Sequence, residues 1–114
     1  MNFSNLLGSA ALAAGFLFTQ GSFAADAQKG KTAYVKNGCW QCHGFVGQGG
    51  GAGPKLAPEP MALAALVPFL RHTNGAMPPY PEPVLSDGDI ADIHAYLETV
   101  PKTADYKSIP LLRN

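Results

Sequence analysis

The run Cys39-Trp-Gln-Cys-His43 constrains this chain more than anything else in it. Two thiols separated by two residues can reach the two vinyl groups on one edge of a porphyrin, and a histidine directly after the second thiol is carried under the ring. On that chemistry Cys39 and Cys42 become thioethers to one haem c, and an imidazole nitrogen of His43 takes the proximal position on iron. Other sites also use a Cys-x-x-Cys pair. A zinc site needs two further ligands, and the chain has no other cysteine, while His72 and His94 are distant and set apart by proline-rich chain. A thioredoxin-like dithiol follows a strand in a βαβ pattern, which is missing here. Covalent haem attachment is the reading these residues favour.

The chain opens with an apolar run from Leu6 to Phe18, of the length of a signal h-region and short of the roughly 18 residues that a spanning helix needs. Ser22-Phe23-Ala24 supplies small residues at the cleavage positions, so residues 1–24 read as an export signal cut after Ala24. No Lys or Arg precedes the apolar run, and that departure keeps an uncleaved membrane tether as the alternative. Membrane association is expected only in that case. Export agrees with covalent haem attachment, which is generally completed outside the bacterial cytoplasm. The periplasm is therefore the expected location, and the cysteine pair need not form a structural disulfide there.

The remaining chain, roughly 90 residues, is one domain near the lower size limit for an independent core, a limit that a buried haem relieves. Residues 25–101 form the expected domain and residues 102–114 a C-terminal extension. Lys and Arg number 8, Asp and Glu number 8, and the formal net charge is zero. Such a balance gives no sign of a nucleic-acid partner or of an anionic membrane.

Asp26 to Val35 predicts a short helix with an acidic residue in its first turn and Gly38 beyond its end. Gly30 inside it costs about 1 kcal/mol against alanine, so a close approach by another helix is expected there, with the last helix as partner. In that last helix Ser86-Asp-Gly-Asp89 resembles a capping box, Ile90, Ile93 and Leu97 recur at helical spacing, and Pro101 marks the end. An apolar stretch over 61–72 predicts a further helix, which Pro68 should kink or split and in which Met61 should fill core space. In the extension, Ile109, Leu111 and Leu112 predict packing back onto the domain.

Over essentially the whole segment after the export signal, the chain resembles a bacterial class I cytochrome c, a monohaem c-type cytochrome. The resemblance implies an all-α fold of about three to four helices wrapped around one covalently bound haem. Its first and last helices cross at a glycine and at aromatic contacts, where Gly30, Tyr34, Ile93 and Tyr96 fall. Those residues hold the fold and carry no chemistry.

The glycine-rich run Gly44 to Gly53 superficially invites a nucleotide-binding reading, but a dinucleotide fingerprint sits between a strand and a helix, and this run enters proline-rich chain. A loop wrapped closely round one side of a haem needs glycine for its backbone freedom. Gly53-Pro-Lys-Leu56 resembles the family's Gly-Pro-x-Leu segment, which implies that the Pro54 carbonyl accepts a hydrogen bond from the other nitrogen of His43.

Met61 and Met77 compete for the sixth iron position. Met77 lies in Ala-Met-Pro-Pro-Tyr80, where prolines can hold it rigidly. The resemblance favours Met77, because an Arg followed six residues later by Met-Pro-x-Tyr recurs in the family and here runs from Arg71 to Tyr80. His72 is the leading substitute, since imidazole also suits iron. Arg71 either pairs with a haem propionate or is a solvated cation at a helix end. Tyr80 either donates a hydrogen bond near the propionates or packs under the loop, and His94 reads as a packed imidazole with one hydrogen bond.

With His43 and Met77 both bound, iron has no open position for a substrate. The expected function is single-electron transfer, not catalysis, as a shuttle or as the cytochrome subunit of a periplasmic dehydrogenase. A periplasmic dehydrogenase would be the donor, and a terminal oxidase or another cytochrome the acceptor. In the family the accessible haem edge lies near the thioethers and the methionine loop, so the resemblance implies a mostly apolar docking patch that includes Trp40, Phe45, Met77, Pro78 and Pro79. The alternative is a haem-based sensor or peroxidase-like enzyme in which the methionine ligand is labile or absent.

Overall fold

The computed structural model describes residues 24–113; the apolar run of the expected export signal lies outside the described residues. The fold is all-α, with α1 over Ala27–Lys36, α2 over Trp40–His43, α3 over Leu63–Arg71 and α4 over Asp87–Thr99. Among the described residues no helix is long and apolar enough to cross a membrane.

Both long helices begin where the sequence supplies a cap. Asp26 stands just outside α1 in extended backbone, and its carboxylate accepts from the Gln28 and Lys29 amides at 2.9 and 3.1 Å. Those amide bonds, Lys29 foremost and then Gln28, hold its pKa below the usual carboxylate value. At α4 the Ser86 hydroxyl accepts from the Asp89 amide at 3.1 Å, and the Asp89 carboxylate accepts from the Ser86 amide at 3.3 Å. This is the reciprocal box expected from the sequence, with Asp serving in place of Glu.

The two helices cross at Gly30. A Cβ there would run into the Asp92 carbonyl and stand 2.8 Å from the Ile93 amide nitrogen, so only glycine allows this approach. The contact brings Tyr34 against Tyr96, their ring centroids 5.6 Å apart and tilted by 59°. Tyr34 and Ile90 are fully buried, and Leu85, Ile93 and Leu97 complete the centre of the core. Above the same crossing, the Asp26 amide donates to the Asp92 carboxylate at 2.7 Å.

Three expectations are corrected by the structure. Pro68 does not split its helix: α3 continues through it from Leu63 to Arg71. The bond that proline removes would end on the Ala64 carbonyl, and Ala64 and Pro68 share the exposed face, where solvent can serve that carbonyl. Met61 does not fill the core; it is 47% exposed, because α3 starts after it and leaves it out of the buried register. Ile109, Leu111 and Leu112 do not pack onto the domain, and Leu111 is 88% exposed. The extension forms short 3₁₀ turns over Tyr106–Ser108 and Pro110–Leu112, tied locally by Asp105 to the Lys107 amide and the Ser108 hydroxyl. Turns this short present no continuous apolar stripe to a core.

Substituting Gly30→Ala should lower the unfolding free energy by about 2–3 kcal/mol despite alanine's better helix propensity, because backbone on α4 must move. Gly51→Ala, whose Cβ would meet nothing within 4 Å, should stay within about 0.5 kcal/mol. Denaturant unfolding of the haem-loaded protein checks both. For Asp26, the folded pKa lies below the unfolded one. The cap's contribution is therefore complete above the unfolded carboxylate value and fades as pH falls through the lowered folded value. Asp26→Asn should remove that part of the acid-unfolding profile while keeping a cap, as stability measured against pH would reveal.

Candidate functional site

The cysteines lie at the short helix α2, which α1 delivers through a tight turn. The Cys39 amide donates to the Tyr34 carbonyl at 3.2 Å, and the His43 amide to the Cys39 carbonyl at 3.0 Å. Gly44 closes α2 with φ +81°, a conformation that side-chain-bearing residues rarely adopt. The buried Tyr34 hydroxyl donates to the Gly44 carbonyl at 2.7 Å, so the helix crossing fixes the backbone immediately after His43.

His43 is buried, and its Nδ1 lies 2.8 Å from the Pro54 carbonyl oxygen. A carbonyl only accepts, so Nδ1 carries the proton and the lone pair of the neutral ring is on Nε2. That tautomer is the metal-binding form, with its orientation set from behind. The loop closes on the ring at Gly53, where a Cβ would stand 2.9 Å from His43 Nδ1 and 2.9 Å from the Cys42 carbonyl oxygen. The Gly49 amide, bonded to the His43 carbonyl at 2.8 Å, holds the same loop in place.

Cys39 is partly buried and Cys42 exposed, and both are free thiols. Burial pushes the Cys39 thiol above its usual pKa, the reverse of the depressed thiolate of a dithiol redox centre. Among the described residues no three His, Cys, Asp or Glu side chains group as metal ligands, so the zinc reading has no site there.

Met77 is half-buried and packs against the core cluster, as do Cys39, Trp40, Leu63, Leu66 and Val67. Its loop is tied down at Tyr80, whose amide donates to the Leu70 carbonyl at 2.8 Å and whose hydroxyl donates to the Asn37 carbonyl at 3.2 Å. Burial raises the Tyr80 phenol pKa. The Tyr80 hydroxyl therefore links the methionine loop to the turn that leads into the cysteines.

Arg71 is engaged with the protein. Its Nη1 donates to the Tyr80 and Leu85 carbonyls at 2.7 and 2.8 Å, and its Nη2 pairs with the Asp87 carboxylate. One side chain thus joins the end of α3, the end of the methionine loop and the start of α4. Neither simple sequence reading, a solvated cation or a propionate partner, includes this junction, and no local motif announces it. His72 is exposed, with Nδ1 3.0 Å from the Pro68 carbonyl oxygen. His94 is partly buried on α4, 3.5 Å from Glu98 one turn on.

The residues present fit a covalently bound haem c. They offer free thiols at the two ends of one turn, an imidazole whose Nδ1 is engaged by Pro54 and whose Nε2 is left for a metal, a thioether at Met77 and a half-buried apolar surround. In addition, the Thr73 hydroxyl is buried without a partner among the described residues, a donor suited to an oxygen acceptor.

Arg71→Gln should destabilise the protein by about 1–3 kcal/mol, since two partly buried carbonyls lose their charged donor together. Asp87→Asn should cost less than about 1 kcal/mol, because that carboxylate is 67% exposed. Urea unfolding of the two variants distinguishes the carbonyl junction from the surface ion pair.

The family model described as cytochrome c oxidase, cbb3-type, subunit III matches residues 25–97, well over half of the chain. No curated protein and no solved structure matches it.

Proposed function

Because this chain belongs to the cytochrome c oxidase, cbb3-type, subunit III family, whose members are haem c electron-transfer domains, we propose that it carries single electrons through iron held by His43 and Met77. The haem c that the family binds covalently supplies an iron that alternates between ferrous and ferric states. The observation that carries the proposed ligation is the His43 Nδ1 contact to the Pro54 carbonyl at 2.8 Å. It leaves Nε2 as a fixed acceptor and makes the imidazole a stronger donor to metal. Cys39 and Cys42 form the thioethers.

Met77 is the proposed sixth ligand because its loop is held at Tyr80 from three sides, by Leu70, Asn37 and Arg71. His72, the competing ligand, is exposed and already engaged with Pro68. A loop held this firmly keeps the same ligand in both oxidation states, which limits reorganisation during transfer. Methionine ligation also raises the potential, which favours accepting electrons from a dehydrogenase and passing them to an oxidase or another cytochrome. We place the protein in the periplasm, after removal of residues 1–24, as a shuttle or as the cytochrome subunit of a dehydrogenase. The support for that location is the Leu6 to Phe18 run followed by Ser22-Phe23-Ala24, together with the need for haem attachment outside the cytoplasm.

The optical spectrum of the haem-loaded protein tests the ligand set. The ferric form should be low-spin with the weak band near the red end that reports methionine sulfur on iron. Met77→Ala should abolish that band and His72→Ala should leave it. A high-spin ferric spectrum in the unsubstituted protein would instead favour a sensor or peroxidase-like enzyme.

A further inference from the structure

The loop between α3 and Tyr80 is tied at its ends. At one end the His72 amide donates to the Phe69 carbonyl at 3.1 Å, and at the other the Tyr80 amide donates to the Leu70 carbonyl at 2.8 Å. From Thr73 to Pro79 no backbone group bonds to another backbone group among the described residues. Gly75, midway along, has φ +85°, and a Cβ there would meet nothing within 4 Å. Segments with exposed backbone and few internal bonds open locally at lower free energy than the core. The Arg71 guanidinium closes this one, because it grips the Tyr80 carbonyl at the far end of the loop and fastens it to the Leu85 carbonyl at the approach to α4.

The same loop carries two side chains that suit iron. Met77 is half-buried against the core, whereas His72 is exposed. The Nδ1 of His72 lies 3.0 Å from the Pro68 carbonyl oxygen, so Nδ1 donates and Nε2 is left for a metal, the arrangement found at His43. His72 directly follows Arg71, and loss of the guanidinium's hold therefore loosens the loop at both ends.

We propose that Arg71 is a positioning residue that selects between two ligands of this chain for the sixth iron position: Met77 while Arg71 holds Tyr80 and Leu85, and His72 when that hold is broken. The inference rests on the His43 and Met77 ligation proposed above and gives His72 a role in the same site. In the exchange the bond from Met77 sulfur to iron breaks and a bond from His72 Nε2 forms. Each ligand donates one electron pair, Nδ1 keeps its proton, and the oxidation state of iron does not change. Methionine ligation raises the potential, so its replacement by imidazole lowers it and makes the released state a weaker electron acceptor.

Optical and electron paramagnetic resonance spectra of the ferric holoprotein at neutral pH, with a redox titration, test this. Arg71→Gln should lose most of the methionine band yet stay low-spin, and its midpoint potential should fall. In the double variant Arg71→Gln with His72→Ala the iron should become high-spin. Gly30→Ala weakens the fold at the helix crossing but leaves Arg71 in place, so it should keep the band. Equal loss of the band in Gly30→Ala would reduce Arg71 to a contributor to stability and overturn the proposal. A full band in Arg71→Gln would overturn it too, as would low-spin iron in the double variant, which would point to another ligand. If Arg71→Gln does not fold around haem, warming the unsubstituted ferric protein gives a second reading. The band should fade below the unfolding transition while the iron stays low-spin, and His72→Ala should turn high-spin over the same range. Loss of the band only together with global unfolding would overturn the proposal. Absence of the band from the unsubstituted protein before warming would defeat the Met77 assignment and the proposal with it, a failure distinct from the others.

Discussion

The close approach of α1 to α4 at Gly30 is the constraint on which the rest of the domain depends. With no side chain at that point, the α1 backbone lies against the Asp92 carbonyl and the Ile93 amide, and Tyr34 is driven between the helices against Tyr96. A buried phenol hydroxyl without a partner would cost about 1–3 kcal/mol, and Tyr34 meets that demand on the Gly44 carbonyl. The residue so anchored directly follows His43. A packing contact between helices thereby becomes a positional constraint on the imidazole.

The two sides of the candidate site are built differently. On the His43 side one loop supplies the ties: Gly49 and Pro54, 6 and 11 residues further on, hold the backbone and ring of one histidine. On the Met77 side the ties reach across the fold. Tyr80 contacts Asn37 at the end of α1, and Arg71 joins Tyr80 to Leu85 and Asp87 at the start of α4. Both sides lead back to the α1–α4 pair. Rigidity of this kind suits electron transfer, in which a ligand set that does not rearrange keeps the reorganisation small.

Features whose physics is local were legible in the chain. The capping box at Ser86 and Asp89 depends on a reach of three residues, and the glycine inside α1 announces its own close contact by its helix penalty. Features that depend on register or on distant partners were less so. Pro68 is tolerated because its freed carbonyl lies on the exposed face of α3, which its position in the chain does not reveal. Met61 falls outside the core because α3 begins after it, and apolar character alone does not set a helix start. The leucines of the extension remain exposed because locally bonded 3₁₀ turns give them no common face.

By itself the sequence determined the chemistry on offer: thiols two residues apart, a histidine beside them, a methionine among prolines, and an uncharged span around the cysteines. Those depend only on residue identity and short spacing, which covalent geometry transmits directly. Only the tertiary structure decided which nitrogen of His43 is free, that Arg71 is a junction between three segments, and that Trp40 and Phe45 stack at the surface. Each of these joins atoms brought together by the path of the chain after the helices have packed, and no pattern of nearest neighbours encodes that path.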